Sequence, residues 1–196
     1  MNQIHRIRTL PLLLAALLAL TSLGLVHQAT TLPGSSLPAT TQTATTQQAT
    51  EITTFILVRH AEKATAPAND PALAPAGVQR SQRLAEMLAH SGVTAIWSTD
   101  FTRTQETARP LAEELGLEVR SYDPRRENLA EWLIDRTEGG TVLVVGHSNT
   151  IPMLANGLLG EERFEEYEES DYGNLLIVTL DAEAEDNKAK VLHLRF

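Results

Sequence analysis

The sequence predicts a three-layer α/β/α sandwich with a mainly parallel central sheet, formed by a single domain at residues 51–196. Strand-like segments alternate with amphipathic helical segments throughout this region. Two of the strand segments, 52–59 and 141–148, are mostly apolar, as expected for strands that are covered on both faces. The region holds about 145 residues, which is enough to bury a hydrophobic core.

Each element of this domain has its own signal. The segment 52–59 is rich in β-branched residues and predicts the first strand. Apolar residues recur near helical spacing over 76–92, where Gly92 ends the predicted helix. A second helix is predicted over 102–116, and Pro110 is expected to interrupt or bend it. The last two predicted strands should form a terminal hairpin. The remaining elements are strands over 93–98, 117–122, 174–181 and 188–196 and helices over 128–140 and 150–160.

The composition excludes several classes of site. The chain has no cysteine, so disulfides, thiolate nucleophiles and zinc–thiolate sites cannot form. Its net charge of −9 argues against nucleic acid as a partner. Residues 1–50 carry two arginines, no lysine and no acidic residue, so the rest of the chain has a net charge of −11. A group of arginines within that acidic domain would be a local exception.

Residues 1–29 have the pattern of an export signal. Two arginines precede an unbroken apolar run over 10–26. A run of about 17 residues is at the lower limit for crossing a bilayer, so an uncleaved anchor is also compatible with it. Ala29 suits a cleavage site and His27 does not, and we favour a cleaved signal over a retained anchor. The protein is therefore expected to be exported, either periplasmic or secreted, with membrane attachment only if residues 10–26 are retained.

Residues 30–50 are a low-complexity segment of Thr, Gln, Ala, Ser and Pro with no periodic apolar face. Such a segment cannot bury enough surface to offset the entropy of ordering it. We expect a flexible linker, and a dispensable remnant of the leader is an equally compatible interpretation.

Two predicted strands end in polar side chains. Arg59 and His60 end the first strand, and His147 ends the strand over 141–148. Ligands of such sheets bind beyond the carboxyl ends of the strands, so both imidazoles reach one crevice if these strands are neighbours. A lone histidine there is more often structural, whereas two, one of them preceded by an arginine, indicate a site. His90 and His193 have no companion motif and are interpreted as structural.

Four segments together resemble the histidine phosphatase superfamily, also called the phosphoglycerate mutase-like family. They are "LVRHAEK", "LAPAGVQRSQRLAEML", "IWSTDFTRTQETARPLAEELG" and "VLVVGHSNTIP", and they occur in the family's order over roughly residues 52–160. An Arg-His pair alone would be a trivial match. The combination of three motifs is specific: R-H-A-E in the first segment, S-T-D-x-x-R-T-x-x-T-A in the third and G-H-S-N-T in the fourth.

The resemblance implies a role for each of four residues. His60 would be the nucleophile that forms a phosphohistidine, which water then hydrolyses. Arg59 and Arg103 would bind the phosphate, since a planar guanidinium can hold two of its oxygens at once. His147 would be the second catalytic histidine, in contact with the transferring phosphoryl group. No metal and no cofactor are implied.

Structural alternatives remain for several of these positions. Arg103 on its own could form a helical ion pair with Glu106. Ser98 and Thr99 could bind phosphate or cap the second helix, and we favour capping. Arg80 is interpreted as structural.

A leaving alkoxide needs a proton, and the sequence offers three candidate acids. The segment "PRRE" resembles one in which some family members place a catalytic glutamate, so Glu127 is favoured. Asp123 and Glu62 are the alternatives, and a solvated carboxylate at a helix start is an equal interpretation of Glu127. Lys63 could attract an anionic substrate or could simply be exposed.

The sequence therefore predicts an exported phosphatase that acts on small phosphate monoesters, and an envelope phosphosugar is an attractive substrate by analogy. A phosphomutase or a protein-phosphohistidine phosphatase is an alternative with the same chemistry. A non-catalytic domain that binds phosphorylated ligands is a further one. A serine hydrolase is excluded, because Thr150 replaces the last glycine of the G-x-S-x-G elbow.

Overall fold

The computed structural model describes residues 52–137, 139–181 and 189–196. The predicted signal or anchor at 1–29 and the predicted linker at 30–50 lie outside these residues. Among the helices that are described, none is both long and apolar enough to cross a membrane.

A six-stranded sheet forms the centre of the domain, in the order β3-β2-β4-β1-β5-β6. The first four strands along the chain are mutually parallel, and β5 and β6 run antiparallel to their neighbours. The predicted mainly parallel sheet and the predicted terminal hairpin are therefore both confirmed. The strands are β1 (Ile52–Arg59), β2 (Val93–Ser98), β3 (Val119–Ser121), β4 (Gly140–Gly146), β5 (Asn174–Asp181) and β6 (Lys190–Arg195).

Four helices cover the two faces of the sheet, which confirms the three-layer architecture. They are α1 (Pro75–Leu88), α2 (Thr102–Leu115), α3 (Leu129–Ile134) and α4 (Thr150–Leu159). On one face, Leu133 of α3 and Leu154 of α4 join a buried cluster with Phe55 and Val144 of the sheet. Because side chains alternate along a strand, the residues next to Phe55 and Val144 face the opposite side of the sheet.

The second face carries its own core. Leu84 of α1 and Leu111 of α2 pack in a cluster with Ile56 of β1 and Leu143 of β4. Because α helices cover both faces, every position of β1 from Phe55 to Arg59 is buried. This explains why Phe55 to Val58 form an unbroken apolar run instead of an alternating pattern.

Two helices differ from their predicted form. Pro110 was expected to interrupt or bend α2, and the helix is continuous from Thr102 to Leu115, so the expected interruption does not occur. Its tertiary packing outweighs the loss of one backbone hydrogen bond. Gly116 does end it, in the left-handed conformation that a glycine adopts at low cost. Helix α3 has only six residues, fewer than predicted.

The sheet topology brings three segments to one edge. Strands β1 and β4 are parallel neighbours, with Arg59 paired with Gly146, so their carboxyl ends lie side by side. Strand β5 is antiparallel to β1 and begins beside its end, where Val58 pairs with Leu175. The segment that precedes β5 must therefore also lie at this edge.

Candidate active site

His60 and His147 converge at the carboxyl edge of the sheet. His60 follows β1 and its backbone N–H donates to the carbonyl of Gly146 at 2.9 Å, which joins the ends of the two strands. His147 is the residue after Gly146. The centroids of the two imidazole rings are 5.5 Å apart, in an edge-to-face arrangement.

His60 is buried and has a defined tautomer. Its Nδ1 lies 2.8 Å from the carbonyl oxygen of Ala61. A carbonyl can only accept, so Nδ1 carries the hydrogen and the lone pair of the neutral ring is on Nε2. Burial, assisted by the charges of Arg59 and Arg103, lowers the pKa of His60 from 6.5 to about 3. The ring is therefore neutral around neutral pH.

His147 is held by a hydroxyl and a guanidinium. Its Nε2 lies 3.0 Å from Oγ1 of Thr99, and its Nδ1 lies 3.4 Å from Nη2 of Arg103. Arginine can only donate, so Nδ1 accepts and Nε2 donates to the threonine. Burial, followed by the charge of Arg103, lowers the pKa of His147 to about 4.

Arg59 is only 1% exposed and is held by the segment that precedes β5. Its Nη1 donates to the backbone carbonyls of Glu168 and Asp171 at 2.8 and 3.0 Å. Its Nη2 lies 3.1 Å from the carboxylate of Glu169. The ring of Tyr172 stacks on the guanidinium at 4.2 Å. Such a buried charge is tolerable only because it has these partners.

Arg103 projects from the first turn of α2 toward the same edge. Its guanidinium lies 3.6 Å from Asp70 and 4.4 Å from the ring centroid of Phe101. The ion pair with Glu106 that the sequence left open does not form, because Glu106 accepts the backbone N–H of Leu73. Nε of Arg103 is buried without a partner among the described residues.

All four residues that the resemblance singled out border one open cavity of about 330 Å³. Two arginines and Lys63 make its inner wall cationic within an acidic domain. A phosphate group fits such a site, because guanidinium and imidazole groups match its charge and its oxygens. The lining residues are Arg59, His60, Lys63, Phe101, Arg103, His147, Ser148, Asn149, Thr150, Glu166 and Glu169.

A second cavity of about 410 Å³ adjoins the first and shares Lys63 and Arg103 with it. Its other polar lining comes from Thr65, Asn69 and Tyr172. The two cavities together offer room for a phosphate and for the group that it is attached to.

The three predicted acids do not border the cavity of the histidines. Glu127 lies at a different cavity with Met153 and Leu154. Asp123 is exposed and accepts from the backbone and side chain of Arg125, and this contact lowers the pKa of its carboxyl. A catalytic role for any of these acids therefore gains no support from its position.

Glu62 is turned toward another partner. Its carboxylate receives three hydrogen bonds from Arg80, at 2.7 to 3.1 Å. This ion pair lowers the pKa of Glu62. Arg80 also donates to the carbonyl of Phe196, which agrees with the structural interpretation of that arginine.

Sequence reasoning missed several residues at this edge. Thr99 was expected to cap α2, but its hydroxyl contacts His147, and Asp70 accepts the N–H of Thr102 instead. Glu166 and Glu169 were not considered, since nothing in the acidic run that contains them indicates where that run lies. Their position follows from the antiparallel pairing of β5 with β1, which places the start of β5 at the edge where β1 ends.

Within the ranges that the structure covers, no group of three or more histidine or acidic side chains is arranged to hold a metal ion. Nδ1 of His147 faces the guanidinium of Arg103, a group that cannot ligate a cation.

Comparison with known proteins relates the chain to one family. Residues 55–132 match the sequence profile of the histidine phosphatase superfamily (branch 1). A segment of 86 residues is 33% identical to a protein of Enterobacter sp. (strain 638) described as "Probable phosphoglycerate mutase GpmB". This match covers 41% of the chain and 40% of that relative, so less than half of the relative's length is matched.

Solved structures share the fold at low sequence identity. The protein histidine phosphatase SixA, complexed with tungstate, is 19% identical with a TM-score of 0.58, over 72% of this chain and 96% of that one. Phosphoserine phosphatase from Entamoeba histolytica, in complex with 3-phosphoglyceric acid, is 18% identical with a TM-score of 0.56, over 74% and 97%. A mycobacterial glucosyl-3-phosphoglycerate phosphatase is 16% identical with a TM-score of 0.54, over 74% and 98%.

Proposed function

We propose that the chain is a histidine phosphatase, the superfamily whose profile matches residues 55–132, and that it hydrolyses phosphate monoesters through a phosphohistidine intermediate on His60. One observation carries this proposal: two neutral imidazoles and two guanidiniums border the same small cavity. Side chains far apart along the sequence meet there, in an acidic domain where cationic groups are the minority.

His60 is the nucleophile in this proposal. Nε2 bears the lone pair because Nδ1 donates to the carbonyl of Ala61. This contact also orients the ring, so that attack needs no tautomer change. The low pKa keeps the imidazole unprotonated, at the cost of a weaker nucleophile. An arriving phosphate dianion would offset the burial and raise that pKa.

Arg59, Arg103 and His147 stabilise the charge on the phosphoryl group as it transfers. Positioned cationic donors in a partly buried cavity are the main source of rate enhancement in phosphoryl transfer. His147 accepts from Arg103 in the unliganded site. A bound phosphate dianion would favour its protonated form, so that Nδ1 would then donate to a phosphate oxygen. Water finally attacks the phosphohistidine and releases inorganic phosphate.

A phosphomutase is the second candidate, and the match to a relative described as a phosphoglycerate mutase favours it. The same phosphohistidine would then pass its phosphoryl group to an alcohol instead of water. Transfer of label from a phosphorylated substrate to an added alcohol would distinguish the two. A protein-phosphohistidine phosphatase and a non-catalytic phospho-ligand domain are the remaining alternatives.

The physiological setting is also a proposal. The apolar run over 10–26 supports export. An exported enzyme would meet periplasmic or extracellular esters. Among these, envelope phosphosugars are proposed as substrates by analogy alone. Fractionation of cells that express the full chain would test the location.

The decisive experiment is phosphate release from a panel of monoesters by the purified protein. We expect turnover with the unchanged chain and none with His60→Ala. His90→Ala is the matched control, since His90 is an exposed histidine outside the cavity. Orthovanadate should inhibit as a mimic of pentacoordinate phosphorus, and EDTA should not. Full activity of His60→Ala would refute the proposal, and loss of activity in EDTA would indicate a metal-dependent phosphatase.

A further inference from the structure

None of the three predicted acids is placed to protonate the leaving group, so its proton donor is still unassigned. Expulsion of an alkoxide is slow unless a nearby acid protonates it. Of the acidic side chains described, two border the cavity that holds both histidines: Glu166 and Glu169. Both belong to the segment that precedes β5, which the antiparallel direction of that strand brings to the site.

Glu169 is unsuited to donate a proton. Its Oε1 lies 2.6 Å from Nζ of Lys63, and its Oε2 lies 3.1 Å from Nη2 of Arg59. The hydrogen bond from Lys63 and the two positive charges lower the pKa of this carboxyl. A carboxylate paired with two cations holds no proton to give around neutral pH.

Glu166 has different surroundings. Its Oε1 accepts from the hydroxyl of Ser148 at 3.4 Å, and no ion pair joins it to a cation in the described ranges. Ser148 directly follows His147, so this carboxyl lies on the side of the cavity that the second histidine forms. The backbone N–H of Tyr167 donates to the carbonyl of Ser148 at 3.0 Å and anchors the segment there.

We propose that Glu166 is the general acid that protonates the leaving oxygen, an assignment that rests on the proposed phosphatase function. As Nε2 of His60 bonds to phosphorus, the bond from phosphorus to the leaving oxygen breaks, and its electron pair takes the proton of the Glu166 carboxyl. The resulting carboxylate then removes a proton from the water that attacks the phosphohistidine. Glu166 is thereby reprotonated, and phosphate and neutral His60 are regenerated. The net reaction is hydrolysis of one ester bond.

The test compares two esters that differ in their need for a proton. p-Nitrophenolate leaves readily without protonation, whereas an alkyl alkoxide does not. The readout is the ratio of kcat/KM for p-nitrophenyl phosphate to kcat/KM for an alkyl phosphate. In Glu166→Gln we expect this ratio to rise about 100-fold. Glu165→Gln, at the preceding exposed glutamate, should leave the ratio unchanged.

Each other outcome has a definite meaning. An unchanged ratio in Glu166→Gln, with its melting temperature intact, would overturn the assignment and leave the phosphatase function standing. If the ratio of the two kcat/KM values rises in Glu127→Gln instead, then Glu127, the acid predicted from the sequence, is the general acid. If the unchanged protein hydrolyses neither ester, the proposed function itself fails, and the role of Glu166 fails with it.

Discussion

The carboxylate of Glu169 lies 3.1 Å from the guanidinium of Arg59, within the cavity that we propose for phosphate. Lys63 holds the other oxygen of the same carboxylate at 2.6 Å. An anion of the protein therefore already occupies cationic groups that a phosphate would need. Substrate must displace Glu169 from Arg59 or bind beside it.

This arrangement predicts that Glu169→Gln binds inorganic phosphate and orthovanadate more tightly. Glu169 is largely exposed, so its ion pairs are partly screened and the gain should be about threefold. Isothermal titration calorimetry would measure the change. Glu168→Gln is the matched control, because only the backbone of Glu168 contacts Arg59. Weaker binding in Glu169→Gln would show that this carboxylate helps to organise the site and does not compete with the ligand.

Arg103→Lys should lower kcat/KM for a phosphate monoester by about 100-fold. Lysine keeps the positive charge but lacks the planar fork that holds two phosphate oxygens. Arg109→Lys provides the control, since Arg109 is an exposed arginine on the same helix that borders a different cavity. Equal activity of the two variants would mean that Arg103 does not contact the phosphoryl group.

Thr99→Val should reduce kcat about tenfold with a smaller effect on KM, because His147 loses the acceptor for its Nε2 hydrogen. The side chain keeps its shape, so the fold should survive. Imidazole chemical shifts in NMR spectra would report the altered tautomer of His147. Thr99→Ser should restore both the activity and the shifts. If Thr99→Val has normal shifts, the hydroxyl does not position this ring.

Acid should destabilise the protein in part through His60. The pKa is 6.5 in the unfolded chain and about 3 in the folded one, so below about pH 6.5 only the unfolded state takes up this proton. The stability that the neutral ring retains at high pH is therefore lost as the pH falls toward the folded pKa. At about pH 5 this loss amounts to about 2 kcal/mol.

Urea unfolding at about pH 8 and about pH 5 would measure the effect. His60→Gln should lose about 2 kcal/mol less stability than the unchanged chain between these two conditions. The pKa values of the Glu62 and Asp171 carboxyls are lowered in the fold, so their protonation also reduces stability as the pH falls. This loss occurs at lower pH than that from His60, and it occurs in both proteins. An identical pH dependence in the two proteins would contradict the buried, neutral state of His60.

Much of the architecture was predictable because its signals are local. The bounds of β1, β2 and β5 agree with the prediction, since an apolar β-branched run between turn residues depends little on its surroundings. The end of α2 at Gly116 was equally readable. The continuity of α2 through Pro110 was not, because packing against the sheet outweighs a local helix breaker.

The candidate site, like the fold, was predictable only in part. The sequence by itself determined the four groups around the cavity that we propose for phosphate, because two strand ends and one helix start carry them within recognisable boxes. Only the tertiary structure decided which carboxylates join them. Glu127 looked suitable from its neighbours along the chain, but the antiparallel run of β5 places Glu166 and Glu169 at the cavity instead. Strand direction is set by pairing between distant segments, and no local pattern of residues encodes it.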